Sequence, residues 1–293
     1  MAQHQHGILE PVPAAARYMS FRLVPDKDPR PCLSRLSELD LSAGLVVGLG
    51  RTLVERLGGE VVGLREAASL VGPGVSVPSN PMALWCWLRG EDPGSLLHRG
   101  RALISTVGAS FAIEETLDAF RFEGGRDLTG YEDGTENPIG ERMHGVALVA
   151  GSGPGLDGSS FVAVQRWQHD FARFGAMSQE EQDNAIGRRR VDNEELEDAP
   201  PSAHVKRTAQ EDFDPEAFVL RRSMPWSDSR GGGLQFVAFG CSFDAFEAQM
   251  RRMVGLDDGV TDALFRFTRP LSSSHYWCPP TRDGHLDLSL LGL

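Results

Sequence analysis

Hydrophobic positions in the first half of the chain fall into short alternating runs and longer runs with helical spacing. The alternating runs are rich in aromatic and β-branched side chains and predict strands at residues 17–24, 82–90 and 112–122. Leucine and valine recur every three or four residues over 33–57, and the same spacing covers 94–107, so both stretches predict helices. The short apolar run 144–150 predicts one more strand.

The same order begins again after the glycine- and serine-rich segment 151–160. Strands are predicted at residues 160–170, 219–226 and 232–243. Ser178 followed by Glu181 is the signature of a capping box that opens a helix, and a second helix is predicted over 244–254 with Asp244 at its N-cap. Residues 191–202 are polar and contain prolines, which favours a loop. Residues 263–277 predict the end of a helix and a final strand.

Two rounds of strand, helix, strand, strand, helix, strand predict an α+β protein. Each round is typical of a ferredoxin-like half built around an antiparallel sheet. The predicted domains are therefore an N-terminal half, residues 1–150, and a C-terminal half, residues 151–280, followed by a tail, residues 281–293.

Composition narrows the class of protein. A chain of 293 residues with 41% hydrophobic and 24% charged residues is typical of a globular protein. Its net charge of −12 argues against a nucleic-acid partner, because a phosphate backbone is bound by positively charged faces. No apolar run is long enough to span a membrane, and the first residues lack the pattern of a cleaved signal. Together with four widely separated cysteines, these features lead us to expect a cytoplasmic protein with reduced thiols.

The segment 130–138, GYEDGTENP, holds the densest set of turn-forming residues and carboxylates in the chain. Glycine permits positive φ and proline fixes φ, so a rigid irregular loop is expected here. On composition alone, Asp133 would form an Asx-turn with Thr135.

This loop resembles the GxxDGTxNP loop of the dye-decolourising (DyP-type) haem peroxidases. Three further segments resemble the same family in the same order along the chain: SAHV at 202–205, LRRSMP at 220–225 and DALFRF at 262–267. The resemblance covers most of the chain and is greatest to the bacterial class B members. It implies haem b as cofactor, bound in the C-terminal of two ferredoxin-like halves that are arranged as in the dimeric α+β barrels.

The resemblance also implies the axial ligand of the haem iron. His204 occupies the proximal segment of the family, and Asp262 corresponds to the aspartate that contacts the proximal histidine. His169 is the rival ligand, although its charged neighbours favour a salt-bridged residue at a strand end. Without the resemblance, His204 would read as an exposed loop residue and Asp262 as the start of a helix.

On the opposite, distal side, cleavage of peroxide requires a base and a positive charge. The resemblance assigns these roles to Asp133 and Arg221, whereas Arg221 alone would read as a strand-edge residue paired with a carboxylate. Ser223 stands where many relatives have asparagine, which shortens one distal hydrogen-bonding side chain. Arg207 and Arg188 are candidate partners of the haem propionates.

Electrons from bulky donors would travel through surface aromatic residues, for which Trp226, Tyr276 and Trp277 are candidates, unless these side chains belong to the core. The sequence thus predicts a peroxidase that reduces hydrogen peroxide to water and oxidises organic donors such as dyes and phenolics in one-electron steps. The alternatives are a deferrochelatase-like protein that removes iron from haem, and a catalytically idle binding module.

The sequence also leads to expectations about the oligomeric state and the C-terminal tail. The resemblance implies a homo-oligomer, a dimer or larger. The leucines in residues 283–293 weakly resemble the peptide with which some class B relatives dock inside an encapsulin shell. Packing of this tail on its own domain or on a dimer mate is the alternative.

Overall fold

The computed structural model describes residues 3–293, which fold around a large antiparallel sheet. Its strands are β1 (Ala15–Leu23), β2 (Leu45–Leu49), β3 (Leu70–Gly72), β4 (Val75–Val77), β5 (Leu84–Gly90), β6 (Phe111–Phe120), β7 (Ser160–His169), β8 (Leu220–Arg221), β9 (Met224–Asp228), β10 (Gly231–Gly240), β11 (Thr268–Cys278), β12 (Thr281–Arg282) and β13 (His285–Leu286). Its α-helices are α1 (Arg30–Ser37), α2 (Arg51–Arg56), α3 (Pro93–Val107), α4 (Glu141–Ala147), α5 (Phe171–Ala176), α6 (Gln179–Ile186), α7 (His204–Arg207) and α8 (Asp244–Met253). Short 3-10 helices cover His6–Ile8, Leu41–Ala43, Gln210–Asp212, Ala263–Arg266 and Ser289–Leu291.

The two halves of the chain use the same strand order. In the first half the strands lie side by side as β2-β5-β1-β6, and in the second as β9-β10-β7-β11. Each sheet therefore places the second, third, first and fourth strand of its half next to one another. This is the ferredoxin-like arrangement, and the predicted fold class is confirmed. The predicted boundary at residue 150 stays a prediction.

The two sheets meet at both edges and close into a ring of eight strands. One junction pairs Trp277 of β11 with Leu49 of β2, and the other pairs Ala119 of β6 with Trp226 of β9. Each junction is a single residue pair, so strand pairing between the two sheets is short at both edges of the ring. Closure removes the exposed sheet edges that these strands would otherwise present.

Alternation along the strands separates the inside of the ring from its outside. On β5, Leu84 and Cys86 pack under the helices of the first half, while Trp85 and Trp87 belong to the cluster enclosed by both sheets. Further aromatic members of that inner cluster are Tyr18, Trp226, Phe239 and Tyr276. The outer face of the second sheet instead packs against α8, and there the molecule forms its larger cavity.

The predicted helix over 33–57 is wrong in its middle. The structure ends α1 at Ser37 and places β2, with all five residues buried, between Gly44 and the start of α2. An apolar run buried on both faces lacks alternation, so its spacing cannot distinguish a strand from a helix. Gly44, with φ of 83°, and Gly50 are the local signals that separate the elements.

Three smaller predictions also change. The apolar run at 144–150 overlaps the end of helix α4 and contains no strand, because a run this short fits either structure. The strand at 219–226 is interrupted between β8 and β9. Asp244 is the first helical residue of α8, whose N-cap is Phe243. The other predicted strands and helices are present, and Ser178 and Glu181 form the predicted capping box.

The C-terminal residues pack on the chain's own N-terminal half. Thr281 pairs with Gln3 through backbone hydrogen bonds, and Leu286, Leu288 and Leu291 are buried in the core under α1 and α3. This packing favours the alternative in which the tail stabilises its own domain. None of the helices within residues 3–293 combines the length and the apolar character that a membrane span requires.

Candidate active site

The larger cavity, of about 460 Å³, lies between the outer face of the second sheet and α8. Its apolar walls are formed by Trp167, Leu234, Phe236, Phe246, Met250 and Phe267. Phe246 and Met250 stand one turn apart on α8, so one face of this helix is directed to the cavity and the sheet. Charged and polar side chains enter from the surrounding loops: Asp133, Glu136, Arg188, His204 and Arg221.

His204 and Asp262 form a hydrogen-bonded pair at this cavity. His204 Nδ1 lies 2.8 Å from Asp262 Oδ2, and the Asp262 side chain is fully buried. The other carboxylate oxygen of Asp262 accepts a hydrogen bond from the backbone N–H of Leu264, and Ala263 N donates to Ser202 O at 2.7 Å. These contacts orient the imidazole and leave His204 Nε2 as the ring nitrogen available to a ligand.

Asp133 and Arg221 meet at the same cavity. Arg221 Nη1 lies 3.8 Å from Asp133 Oδ1, an ion-pair distance longer than a hydrogen bond. Both side chains are about one-fifth exposed, at 22% and 18%. Both charged groups are therefore accessible from the cavity, and a small molecule beside the pair can contact each of them.

The loop that carries Asp133 is fixed to the strand that carries Arg221. Asn137 Nδ2 donates to Arg221 O at 3.0 Å, and Arg221 N donates to Asn137 Oδ1 at 2.8 Å. Gln210, which is buried, donates to Glu136 O and accepts from Val219 N. The side-chain amides of Asn137 and Gln210 thus make the hydrogen bonds between loop and strand that backbone groups make within a sheet.

Gly134 makes the sharp turn beside Asp133 possible. Its φ is 77°, and a Cβ at this position would lie 2.9 Å from Asn137 Nδ2. A side chain here would strain the backbone and press on the amide that holds Arg221. The Asp-Gly pair is therefore a structural requirement of the site.

His169 lines the same cavity, but both of its ring nitrogens are occupied. Nε2 lies 3.0 Å from Asp127 Oδ2 and Nδ1 lies 2.8 Å from Thr268 Oγ1. Burial acts to raise the pKa of Asp127, but hydrogen bonds from His169 and Thr129 and the charge of His169 outweigh it and lower that pKa. His169 is thus a salt-bridged residue at the end of β7, as its neighbours indicated, although its partner is the distant Asp127.

The two predicted propionate partners lie in different places. Arg188 lines the cavity and binds Glu136 at 2.6 Å and Glu195 at 3.2 Å. Arg207 is buried away from it and forms two hydrogen bonds with Asp258, at 2.7 and 2.8 Å. Because Arg207 is absent from the cavity lining and neutralises Asp258, its role as a propionate partner stays a prediction without support from this packing.

Ser223 borders a second, smaller cavity of about 230 Å³, which we call the side cavity. The side cavity shares Asp133, Gly134 and Arg221 with the larger one. Ser223 Oγ accepts a hydrogen bond from Val237 N at 3.3 Å and is directed to the strand ladder. The structure therefore separates Ser223 from the lining of the larger cavity, although its sequence neighbour Arg221 belongs to both.

Trp226, Tyr276 and Trp277 are not surface residues. Their exposed fractions are 1%, 0% and 0%, and Trp226 Nε1 donates to Trp167 O at 3.0 Å. All three belong to the core, which is the alternative that the sequence left open.

Comparison with known proteins decides the family. The family model described as Dyp-type peroxidase, C-terminal, matches residues 124–283, more than half of the chain and including both the Asp133 loop and His204. The chain belongs to the Dyp-type peroxidase family. It is 28% identical to the dye-decolorizing peroxidase of Mycobacterium tuberculosis over 282 residues, which span 94% of this chain and 80% of that protein.

Solved structures agree with this assignment. A Dyp-type peroxidase protein of Shewanella oneidensis superposes with a TM-score of 0.90 at 26% identity, over 99% of this chain and 98% of that one. A variant of DypB from Rhodococcus jostii RHA1, solved in complex with heme, superposes with a TM-score of 0.86 at 26% identity, over 93% and 95%. The predicted family, the peroxidase class of enzyme and the two-part fold are confirmed. The assignments of individual site residues stay predictions.

Sequence reasoning missed several residues that build this Dyp-type peroxidase site. Asn137 and Gln210 hold the loop, and Asp127 holds His169. Asn137 did carry a signal, because asparagine before a proline, four residues after an aspartate, often bonds to nearby backbone. Nothing local links Gln210 to Glu136 or Asp127 to His169, because these partners lie 74 and 42 residues away.

Proposed function

We propose that this Dyp-type peroxidase binds haem b in the larger cavity, with His204 as the axial ligand of the iron. The observation that carries the proposal is that one cavity is lined by a carboxylate-oriented histidine and by a carboxylate–arginine pair. The related DypB solved in complex with heme supports the choice of cofactor.

The residues present fit such a group. A flat macrocycle requires apolar walls, and β10 and α8 supply Phe236, Phe246 and Met250. The imidazole of His204 keeps Nε2 free of protein hydrogen bonds within residues 3–293, which a metal ligand requires. Arg188 and Lys206 also line the cavity and provide cations for carboxylate substituents.

The reaction is the reduction of hydrogen peroxide to water with electrons drawn from organic donors such as dyes and phenolics. Iron in the bound haem supplies the electron-transfer chemistry, and the protein supplies orientation, a base and a positive charge. Asp133 accepts a proton from peroxide, and Arg221 stabilises the negative charge that develops on the departing oxygen. The 3.8 Å between their charged groups keeps both functions at one place.

The His204–Asp262 contact has two consequences. Hydrogen bonding from Nδ1 to the buried carboxylate fixes the tautomer in which Nε2 carries the lone pair. The carboxylate also makes the imidazole a more electron-rich ligand. Loss of Asp262 would therefore alter both the orientation and the donor strength of His204.

A cytoplasmic location and assembly as a homo-oligomer remain parts of the proposal. The four cysteines are free thiols, which supports a reducing compartment. Docking of the tail in an encapsulin shell is less well supported, because Leu286, Leu288 and Leu291 are buried within the chain. The deferrochelatase-like and idle-module alternatives gain no support from the relatives, whose names describe peroxidases.

An absorption spectrum of the purified protein, recorded before and after one equivalent of hydrogen peroxide, tests the proposal. We expect a Soret band that changes on addition of peroxide and returns when a phenolic donor is added. Absence of a Soret band after supplementation with haem would contradict the cofactor assignment. Release of iron from intact haem without donor oxidation would contradict the reaction.

A further inference from the structure

The side cavity carries more positive charge than its carboxylate balances. Its charged lining residues are Arg121, Arg126, Asp133, Arg221 and Arg222. Arg126 is bound to Glu132, and Arg221 faces Asp133. Across residues 3–293, neither Arg121 nor Arg222 has a carboxylate within ion-pair distance. The cavity therefore presents two guanidinium groups without a carboxylate at ion-pair distance in the described residues, and only the more distant charge of Glu10 acts on Arg222.

Arg222 is the more constrained of the two. Its residue is 8% exposed, and its side chain donates to the carbonyl oxygens of Leu9, at 2.6 Å, and of Arg221, at 3.1 Å. Its Nε is buried and lacks a hydrogen-bond acceptor in the part of the chain that the structure describes. Burial, reinforced by the charge of Arg89, lowers the pKa of Arg222 to about 10, so the group is still a cation at neutral pH.

A buried cation without a counter-charge is unfavourable, and an anion that enters the cavity removes that penalty. Guanidinium groups bind carboxylates strongly, and Nη1 of Arg222, which donates one N–H to Arg221 O, has a second N–H to donate. The electrostatics of the side cavity thus select a small anion.

The remaining lining of the side cavity is mixed, with polar side chains at Asn137 and Ser223 and an apolar wall. Pro11, Val12, Phe122, Met224 and Pro225 contribute the apolar wall. The volume of about 230 Å³ exceeds the roughly 150 Å³ that holds a benzene molecule. The cavity accommodates one aromatic ring with a charged substituent, and it is small for a larger ligand.

We propose that the side cavity is a binding site for a small aromatic carboxylate, with the carboxylate paired to Arg222 near Arg121 and the ring against Phe122 and Met224. Because Asp133 and Arg221 line both cavities, a ligand here lies beside the pair assigned to peroxide cleavage. The residues assigned to the ligand, Arg121, Phe122, Arg222 and Met224, do not line the haem cavity, and occupation of the site does not depend on turnover.

Calorimetric titration of benzoate into the haem-loaded full-length protein tests this site. We expect a Kd of about 1 mM or tighter. Arg222→Gln should raise that Kd by roughly tenfold or more, the usual effect of losing a hydrogen bond to a charged partner. Arg121→Gln should raise it by a smaller factor in the same direction. Arg51→Gln, a charge change on the exposed face of α2, should leave it unchanged.

The variants also locate the ligand. Arg121 is exposed and forms no side-chain hydrogen bond within residues 3–293, so Arg121→Gln remains decisive if Arg222→Gln does not fold. Neither arginine lines the larger cavity. If both variants bound benzoate with the wild-type affinity, the ligand would lie elsewhere and the proposal would be overturned. Absence of binding, or equal binding of neutral benzamide, would overturn it too. Calorimetry detects binding whether or not peroxide is consumed, so failure of this site and failure of the peroxidase assignment give different results.

Discussion

The side-chain amide of Asn137 pairs with the backbone of Arg221 as a neighbouring strand would. Asn137 Nδ2 lies 3.0 Å from Arg221 O, and Arg221 N lies 2.8 Å from Asn137 Oδ1. The loop carrying Asp133 is therefore held directly against the strand carrying the arginine. The separation between the proposed base and the proposed cation is fixed by this amide.

Replacing Asn137 with alanine should impair the site without removing either charged group. The loop that carries Asp133 would lose the two hydrogen bonds that hold it against the backbone of Arg221. Displacement of a catalytic group by about 1 Å can cost about 10²-fold in rate. We expect Asn137→Ala to slow the peroxide-induced change of the Soret band by roughly 10- to 100-fold. Stopped-flow absorption measures this rate.

Asn193→Ala is the matched control for the loop. Asn193 Nδ2 also bonds to the loop, at Glu132 and Thr135, but it does not touch Arg221. Its loss should change the rate far less. Equal effects of the two variants would show that general stability of the loop, and not the alignment of Arg221, controls the reaction.

Asp133 and Arg221 should each be required for the peroxide step. Removal of a general base costs about 10²- to 10⁴-fold, and removal of one preorganised donor costs about 10²- to 10³-fold. We expect slowing within these ranges for Asp133→Asn and Arg221→Leu, measured as the rate of the Soret change against peroxide concentration. Haem content should stay at the wild-type level in both.

Glu132→Gln supplies a comparison on the same loop. Glu132 lines the cavity but pairs with Arg126, so its neutralisation should leave the peroxide rate within about threefold of wild type. If Asp133→Asn reacted at the wild-type rate, Asp133 would be a turn residue and Arg221 alone would promote cleavage.

His204→Ala should lose most of the bound haem, whereas His169→Ala should retain it. The reason is that His204 has a ring nitrogen free for the iron, while both nitrogens of His169 are bound by Asp127 and Thr268. The ratio of Soret to protein absorbance in the purified variants measures haem content. Loss of haem in His169→Ala alone would exchange the roles, and retention in both would reject the axial assignment.

The parts of the site that sequence could predict are those encoded by local chemistry. Asp133-Gly134 and the following Asn137-Pro138 specify a turn by themselves, and the turn is found with Gly134 at φ of 77°. The pairing of His204 with Asp262, 58 residues apart, came from family resemblance and not from spacing. Arg207 shows the limit: three residues after His204 it could have faced either side of α7, and only the position of Asp258 shows which.

The fold shows the same division. An alternating run such as β6 was predictable because one face of the strand is more exposed than the other. β2 was not, since all five of its residues are buried and its identity depends on pairing with β5. Closure of the ring through single pairs, Leu49 with Trp277 and Ala119 with Trp226, leaves no local signal at all.

The tail provides a test of stability in the N-terminal half. Leu288 is 3% exposed within the core, whereas Leu293 is 36% exposed. Truncating a buried leucine costs about 2–5 kcal/mol through lost burial and the cavity that remains. We therefore expect Leu288→Ala to lower the free energy of unfolding by this amount and Leu293→Ala to lower it by less than about 0.5 kcal/mol. Urea denaturation measures both.

Deleting residues 283–293 extends this test to assembly. If the tail only completes the N-terminal core, the truncated protein should be less stable but keep its oligomeric state in size-exclusion chromatography with light scattering. A change of oligomeric state at unchanged stability would instead show that the tail packs on a partner chain in solution.

His275 should make stability depend on pH. Its side chain is 1% exposed and stacks on Phe243 with ring centroids 4.0 Å apart. Burial, aided by the nearby charge of Arg65, lowers the pKa of His275 to about 3, compared with about 6.5 for an unfolded histidine. Below about pH 6.5, His275 is therefore protonated in the unfolded chain but remains neutral in the folded chain.

The sign of the effect follows from that difference. The contribution of neutral His275 to the free energy of unfolding is fully present above about pH 6.5. It declines by about 1.4 kcal/mol per pH unit as the pH falls towards about 3. At about pH 5 the loss is about 2 kcal/mol relative to about pH 7. His275→Phe keeps an aromatic ring against Phe243 and cannot titrate, so urea denaturation at the two pH values should show a smaller acid loss by about that amount. The exposed His285 is the control, because His285→Gln should follow the wild-type profile. An equal acid loss in His275→Phe and wild type would show that His275 does not resist protonation in the folded protein.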